Sequence, residues 1–224
     1  MLKILGTLLF GLTFGVAAHA AGESWQAGKD YFVIEPPQPT ATGDKVEVVE
    51  VFSYACPACN AFRATADKIK ASLPANAEMR YLPAAFRPDE DWPVFQRTFF
   101  TAQALGLTEQ THKALFDAVW TNGSLKTTDP VTHQLVKPQP SIEDIANFFT
   151  SYGVKPADFV ATANSFAVNT KMKQADAQIK AYGVDSTPTL IINGKYRVTG
   201  RSLGSWDKVV SLVDYLVAKE SAKP

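Results

Sequence analysis

Two cysteines, and only two, stand in the 224-residue chain, and they stand together as Cys56-Pro57-Ala58-Cys59. Three chemistries suit a Cys-x-x-Cys pair: a structural disulfide, half of a zinc site, or a thiol–disulfide exchange couple. Zinc asks for four ligands, and after the first twenty residues the chain adds only His112 and His133, both within the helical block, without a spaced partner and read as ordinary surface or packing residues. No metal and no cofactor is expected. A disulfide across four residues constrains the unfolded chain very little, and a chain of this length buries enough surface to fold without one. Exchange is therefore the favoured reading. Pro57 suits the first position of a helix, where its missing N–H goes unused. The N–H groups of Ala58 and Cys59 should then point back at the Cys56 sulfur, and the positive helix end should favour a thiolate there.

Glu50 is the second chemical signal. It interrupts the apolar run Val46–Phe52 and shares a strand face with Val48 and Phe52, so it should be buried. A buried carboxylate is costly unless paired or neutral. Beneath the cysteines it can take up or release the proton of Cys59, with its own pKa raised by burial. The alternative is an ordinary strand acid paired with Arg80 on a neighbouring strand. Pro188, in Ser186-Thr187-Pro188-Thr189, opens a further strand; its own isomer is not readable from local sequence.

Elements that could position these residues are legible on either side of them. The segments 31–35 and 45–54 are rich in β-branched and aromatic residues, separated by "PPQPTATGD". From Pro57 the period changes: Phe62, Ala66, Ile69 and Leu73 form a helical stripe that Pro74 ends. Residues 78–86 read as the next strand, giving a βαβ unit and a parallel sheet. Helical spacing follows over 92–106, 112–120, 141–153 and a long segment 156–182, with Ser141 and Asp144 as a capped start. The polar loop 122–140 is long for a domain interior. Two short strands, 187–194 and 195–200, are joined through Asn193-Gly194. A last helix carries Trp206, Val209, Val210, Val213, Leu216 and Val217 on one stripe. The cluster Trp92, Phe95, Phe99, Phe100 reads as core. The outline is an α/β domain, residues 21–86 and 166–224, interrupted by a helical insertion, 87–165.

Composition limits the rest. With 46% hydrophobic and 20% charged residues and a formal net charge of zero, nothing advertises nucleic-acid binding. The first twenty residues carry Lys3, an apolar stretch from Ile4 to Val16, and Ala18-His19-Ala20, the pattern of a secretory signal peptide cleaved after Ala20. Export places the cysteine pair where disulfides persist.

"VVEVFSYACPAC", a helical insertion and "GVDSTPTLIINGKYRVTG" together resemble the DsbA-type periplasmic thiol–disulfide oxidoreductases over nearly the whole mature chain. The resemblance implies a thioredoxin-like α/β fold with an inserted helical domain and a monomer. It implies an oxidase that passes its disulfide to unfolded or newly exported cysteine-containing proteins and is reoxidised by a DsbB-like, quinone-linked membrane oxidase. Cys56 matches the nucleophile, Cys59 the resolving cysteine, Glu50 the buried acid, and Pro188 a cis-proline facing the pair. Thr187, Pro57 and Ala58 line the place where a client strand docks. The best-known members have His where this chain has Ala58, and Val where it has Thr187. Without the cation, Cys56 should be less acidic and the couple less oxidising than in the strongest members. Thr187, shared with related isomerases and reductases, could hydrogen-bond near the sulfurs. An isomerase or reductase on a similar fold is the alternative, although too little mature chain precedes Cys56 for the N-terminal dimerisation domain usual in isomerases. A peptide-binding chaperone with an incidental disulfide is the other.

Overall fold

The structure is a computed structural model that describes residues 24–129, 131–132 and 134–222. The expected signal peptide and its cleavage site, and His133, lie outside the described residues. Five strands form one sheet: β1 (Phe32–Val33), β2 (Val46–Phe52), β3 (Ala77–Pro83), β4 (Thr189–Ile192) and β5 (Tyr196–Thr199), in the order β1-β5-β4-β2-β3. Among the described residues the helices are α1 (Pro57–Ser72), α2 (Trp92–Ala104), α3 (Thr108–Trp120), α4 (Ile142–Phe148), α5 (Pro156–Ala163), α6 (Phe166–Ala181), α7 (Gly200–Leu203) and α8 (Val209–Ser221). A 3₁₀ turn, Phe149–Tyr152, extends α4.

β2 is central, and all seven of its residues are buried, which is why its sequence is apolar on both parities. One face carries Val48, Leu190 and Ile192 against Phe62, Ala66 and Ile69 of α1 and the Val209–Val217 stripe of α8. The opposite face carries Val49, Val51 and Ile191 against the helices between β3 and β4. The aromatic side chains of Trp92, Phe95, Phe99 and Phe100 are buried there, as expected of core.

The expected βαβ unit is present, with β2 and β3 parallel in the register Glu50↔Tyr81 and Val49↔Arg80. The sheet as a whole is mixed, because β4 and β5 return through a hairpin and pair antiparallel with β2 and β1. Asn193 and Gly194 turn that hairpin in left-handed geometry (φ 51° and 63°). A Cβ on Gly194 would lie 2.1 Å from the Gln38 carbonyl oxygen, so the chain crossing there admits glycine alone.

Four expectations change. Trp206, expected on the stripe of the last helix, precedes α8, which begins at Val209. The run 31–35 pairs through only two residues before Pro36, which has no N–H to donate. The segment 156–182 is two helices: Ser165 stops the first and caps the second by accepting from the Val168 N–H (3.3 Å). Arg80 does not meet Glu50. Paired with Val49 in register, it lies on the other sheet face and donates to Glu47 at 2.6 Å, where the Glu47 carboxyl is fully buried.

Replacing Arg80 by Met leaves the Glu47 carboxylate buried and unpaired, at a cost of about 3 kcal/mol. Calorimetry should show Tm lowered by roughly 6–12 °C, while the reactivity of the cysteines, on the other face, stays unchanged.

Candidate active site

β2 ends at Phe52, and the turn Ser53-Tyr54-Ala55-Cys56 delivers the chain into α1. Cys56 is its N-cap in extended geometry (φ −85°, ψ 117°), with Pro57 at the first position. The turn is tight: the Cys56 N–H donates to the Ser53 carbonyl (3.1 Å) and the Ala55 N–H to the Ser53 hydroxyl (3.2 Å). Cys59, one helical turn on, is fully buried; Cys56 is nearly so, while Pro57 and Ala58 are exposed. Both cysteines are free thiols.

The sulfurs are electrostatically unequal. The Cys56 pKa is lowered to about 6 by the Cys59 thiol donating to it, by the Thr187 side chain and by the N–H groups of Cys59 and Ala58, against the opposing effect of burial. The N–H groups are those the sequence places there; Ala58 adds no side-chain charge. The Thr187 hydroxyl is buried and has no other partner, so a Cys56 thiolate is its natural acceptor. Cys59 moves the other way, well above the ordinary thiol value, through burial, its bond to Cys56 and the charges of Cys56 and Glu50.

Across from the pair lies the loop before β4. Its Thr187–Pro188 peptide is cis, and the Cys56 thiol reaches the Thr187 carbonyl oxygen at 3.6 Å. Pro188 is buried and Thr187 half-buried.

Glu50 points to the α1 face beneath the cysteines, 4% exposed. Burial, then the charges of Cys56 and Asp67, push its pKa up to about 8, so the carboxyl is neutral at pH 7. It opens on a crevice of about 30 Å³ between α1 and α3, lined also by Arg63, Asp67, Tyr81 and His112. Asp67 at its mouth is exposed, which gives the carboxyl a route to water.

The site thus gathers Cys56, Cys59, Glu50, Thr187, Pro188, Pro57 and Ala58 from three separate segments. Sequence reasoning passed over α3. His112, read as an ordinary surface or packing residue, stacks on Tyr81 (centroids 4.1 Å apart). It also meets the Tyr54 hydroxyl at 2.9 Å. Burial, then the charges of Lys70 and Arg63, lowers its pKa to about 3. Trp120 reaches the Tyr54 carbonyl. The available signal was the spacing of His112, Phe116 and Trp120 at i, i+4 and i+8, one face of a helix. Among the described residues, no three His, Cys, Asp or Glu stand together as a metal site, and no helix is long and apolar enough to cross a membrane.

A family model described as the DSBA-like thioredoxin domain matches residues 47–211. The thiol:disulfide interchange protein DsbA of Pseudomonas aeruginosa PAO1 is 34% identical over 99% of this chain and 97% of its own length. That of Burkholderia cepacia is 32% identical over 100% of this chain and 99% of its own. The crystal structure of P. aeruginosa DsbA matches with a TM-score of 0.74 at 34% identity, covering 88% of this chain and 95% of that one. The structure of the oxidoreductase DsbA from Xylella fastidiosa matches at 0.75 and 32%, covering 88% and 97%. The chain belongs to the DSBA-like thioredoxin domain family, whose fold is that of its sheet and helices.

Proposed function

We propose that this chain is a thiol–disulfide oxidoreductase that introduces disulfide bonds into exported proteins through Cys56 and Cys59. The observation that carries the reading is the inequality of the two sulfurs: an acidic Cys56 at a helix start beside a cis-proline loop, and a buried, proton-holding Cys59 behind it.

In the oxidised enzyme the pair is a disulfide. A client thiolate attacks Cys56 Sγ, forming a mixed disulfide, and the bond electrons leave on Cys59 as a thiolate. Cys59 lies well above its ordinary pKa, so it takes a proton at once, and Glu50, neutral and beneath it, supplies one. A second client thiolate then attacks the client sulfur of the mixed disulfide, and Cys56 leaves. An acidic thiol is a good leaving group, so this step runs toward release of an oxidised client. The client has lost two electrons and the enzyme has become a dithiol. The carbonyl of Thr187 and the exposed Pro57–Ala58 surface offer the client an extended docking edge.

The remaining parts of the reading follow from it. Residues 21–86 and 166–224 form the thioredoxin-like domain and 87–165 the helical insertion. The enzyme works as a monomer in the periplasm after cleavage at Ala20, and a DsbB-like membrane oxidase reoxidises it.

The direct test is oxidative refolding of a reduced, disulfide-requiring substrate. Cys56→Ser should abolish it, and Cys59→Ala should accumulate mixed disulfides with clients; full activity in Cys56→Ser would sink the proposal and favour a chaperone. An equilibrium with glutathione that leaves the pair as hard to reduce as an ordinary structural disulfide would sink the oxidase direction.

Two dependences on pH follow. Cys56 is lowered from 9.0 to about 6, so its stabilising effect on the reduced fold is complete above about 9 and lost as pH falls through about 6. Thermal scans should therefore show reduced protein gaining on oxidised protein between pH 6 and pH 9, and no change in their difference below that range. Glu50 is raised from 4.5 to about 8, so its native state loses stability as pH climbs between those values. Glu50→Gln should raise Tm at pH 8 and not at pH 4, while slowing exchange roughly tenfold or more.

A further inference from the structure

The turn that presents Cys56 is held from the helical segment, and at both ends of one residue. The backbone carbonyl of Tyr54 accepts the Trp120 indole N–H at 2.7 Å. Its phenol oxygen lies 2.9 Å from His112 Nδ1. Burial raises the Tyr54 pKa well above its ordinary value and holds His112 neutral, so the hydrogen bond joins two uncharged groups. The Tyr54 ring, 1% exposed, is closed in by Phe52 (5.0 Å), Phe95 (6.0 Å) and Phe116 (5.0 Å). His112, Phe116 and Trp120 all belong to α3.

The same helix also holds the far side of the cysteine ring. Arg63 of α1, one turn beyond Cys59, pairs with Asp117 of α3 at 2.8 Å and lies over the Phe116 ring. Helix α3 thus grips the strand end before Cys56 and the helix after Cys59. The relative placement of those two elements decides whether the N–H groups of Ala58 and Cys59 reach the Cys56 sulfur.

We propose that α3 is a brace for the redox pair, and that Trp120 and His112 are positioning residues that tune Cys56 by fixing the Tyr54 peptide. The proposal rests on the exchange reading above and adds to it a means by which the helical segment governs the poise of the couple. Neither side chain touches the sulfurs. Each acts through Tyr54, two residues away, whose peptide leads into Ala55 and Cys56. With the indole bond gone, the Tyr54 carbonyl is free to swing toward solvent. The turn then loosens, the N–H groups fall out of line with the sulfur, and the thiolate loses part of its stabilisation. A less stable thiolate means a less stable reduced form, so the couple becomes less oxidising.

The test compares Trp120→Phe with the unsubstituted protein and with Leu115→Val, a change at a fully buried α3 position that makes none of the bonds to Tyr54 or Arg63. Thiolate absorbance is followed over pH, and the dithiol–disulfide equilibrium is measured against glutathione. Losing one such hydrogen bond should shift the glutathione equilibrium about threefold to tenfold toward a more stable disulfide, with the thiolate midpoint rising. Leu115→Val should lower Tm and move neither readout. If Trp120→Phe lowers Tm with an unchanged midpoint and an unchanged equilibrium, the brace is merely structural and the proposal falls. Tyr54→Phe keeps the ring and removes only the phenol bond to His112. It should shift both readouts in the same direction by less, and it decides the matter should Trp120→Phe not fold. A failure of the exchange reading would look different: the unsubstituted protein would itself show no acidic thiolate and no exchange with glutathione.

Discussion

The whole arrangement depends on keeping two like sulfurs, one helical turn apart, chemically unlike. A helix start can stabilise only the sulfur at its mouth, because the free N–H groups and the positive end of the dipole fade within the first turn. Cys56 holds that position and Cys59 does not. Burial then widens the difference: Cys59, with no exposed surface, loses the solvation its anion needs, while Cys56 faces the Cys59 thiol, the Thr187 hydroxyl and the N–H groups of Cys59 and Ala58. Pro57 starts the helix at this point without leaving an unsatisfied donor. A sheet with both faces covered supplies the low dielectric in which the inequality is large.

The two buried acids of β2 show how pleating separates structure from chemistry. Glu47 and Glu50 are three residues apart, so they face opposite sides of the sheet. One Glu47 carboxylate oxygen meets both Arg80 and the Ala41 N–H (2.9 Å). Among the described residues no cation pairs with Glu50: Arg63, in the same crevice, is paired with Asp117, the register partner is Tyr81, and the charges that raise the Glu50 pKa, Cys56 and Asp67, are negative. One acid is therefore held in an ion pair, the other kept protonated by its surroundings. The second has a proton available at neutral pH, and it is the one beneath the cysteines.

Much of this was readable from residue types and local spacing. The all-apolar β2, the stripe Phe62-Ala66-Ile69, the capped start at Ser141 and the Asn193-Gly194 hairpin are each decided within a few residues, and each is found where it was expected. So was the direction of the Cys56 shift, since it follows from Pro57 and the helix that begins there. What escaped reading depends on contacts between distant segments. Whether Arg80 meets Glu47 or Glu50 is set by the β2–β3 register, which no local pattern reports. The role of α3 was invisible because Trp120 and Tyr54 are 66 residues apart. The break at Ser165 was missed because helical spacing continues on both sides of it, and a single capping side chain decides the interruption.

The absence of a charged side chain between the cysteines changes what controls the couple. A cation near a thiolate acts over several ångströms and tolerates small displacements, since its energy falls slowly with distance. Here the stabilisation comes from the Cys59 thiol, the Thr187 hydroxyl and two N–H groups, and hydrogen bonds weaken steeply once distance or angle departs from the optimum. A site built this way relies on rigid geometry in place of charge. That makes the packing behind it part of its chemistry: Tyr54 closed in by Phe52, Phe95, Phe116 and His112, and α1 tied to α3 through Arg63 and Asp117. It also separates two properties that a cation would couple. Salt screens an exposed charge but acts little on buried dipoles and hydrogen bonds, so the poise of this pair is set by how firmly the turn is held and only weakly by ionic strength.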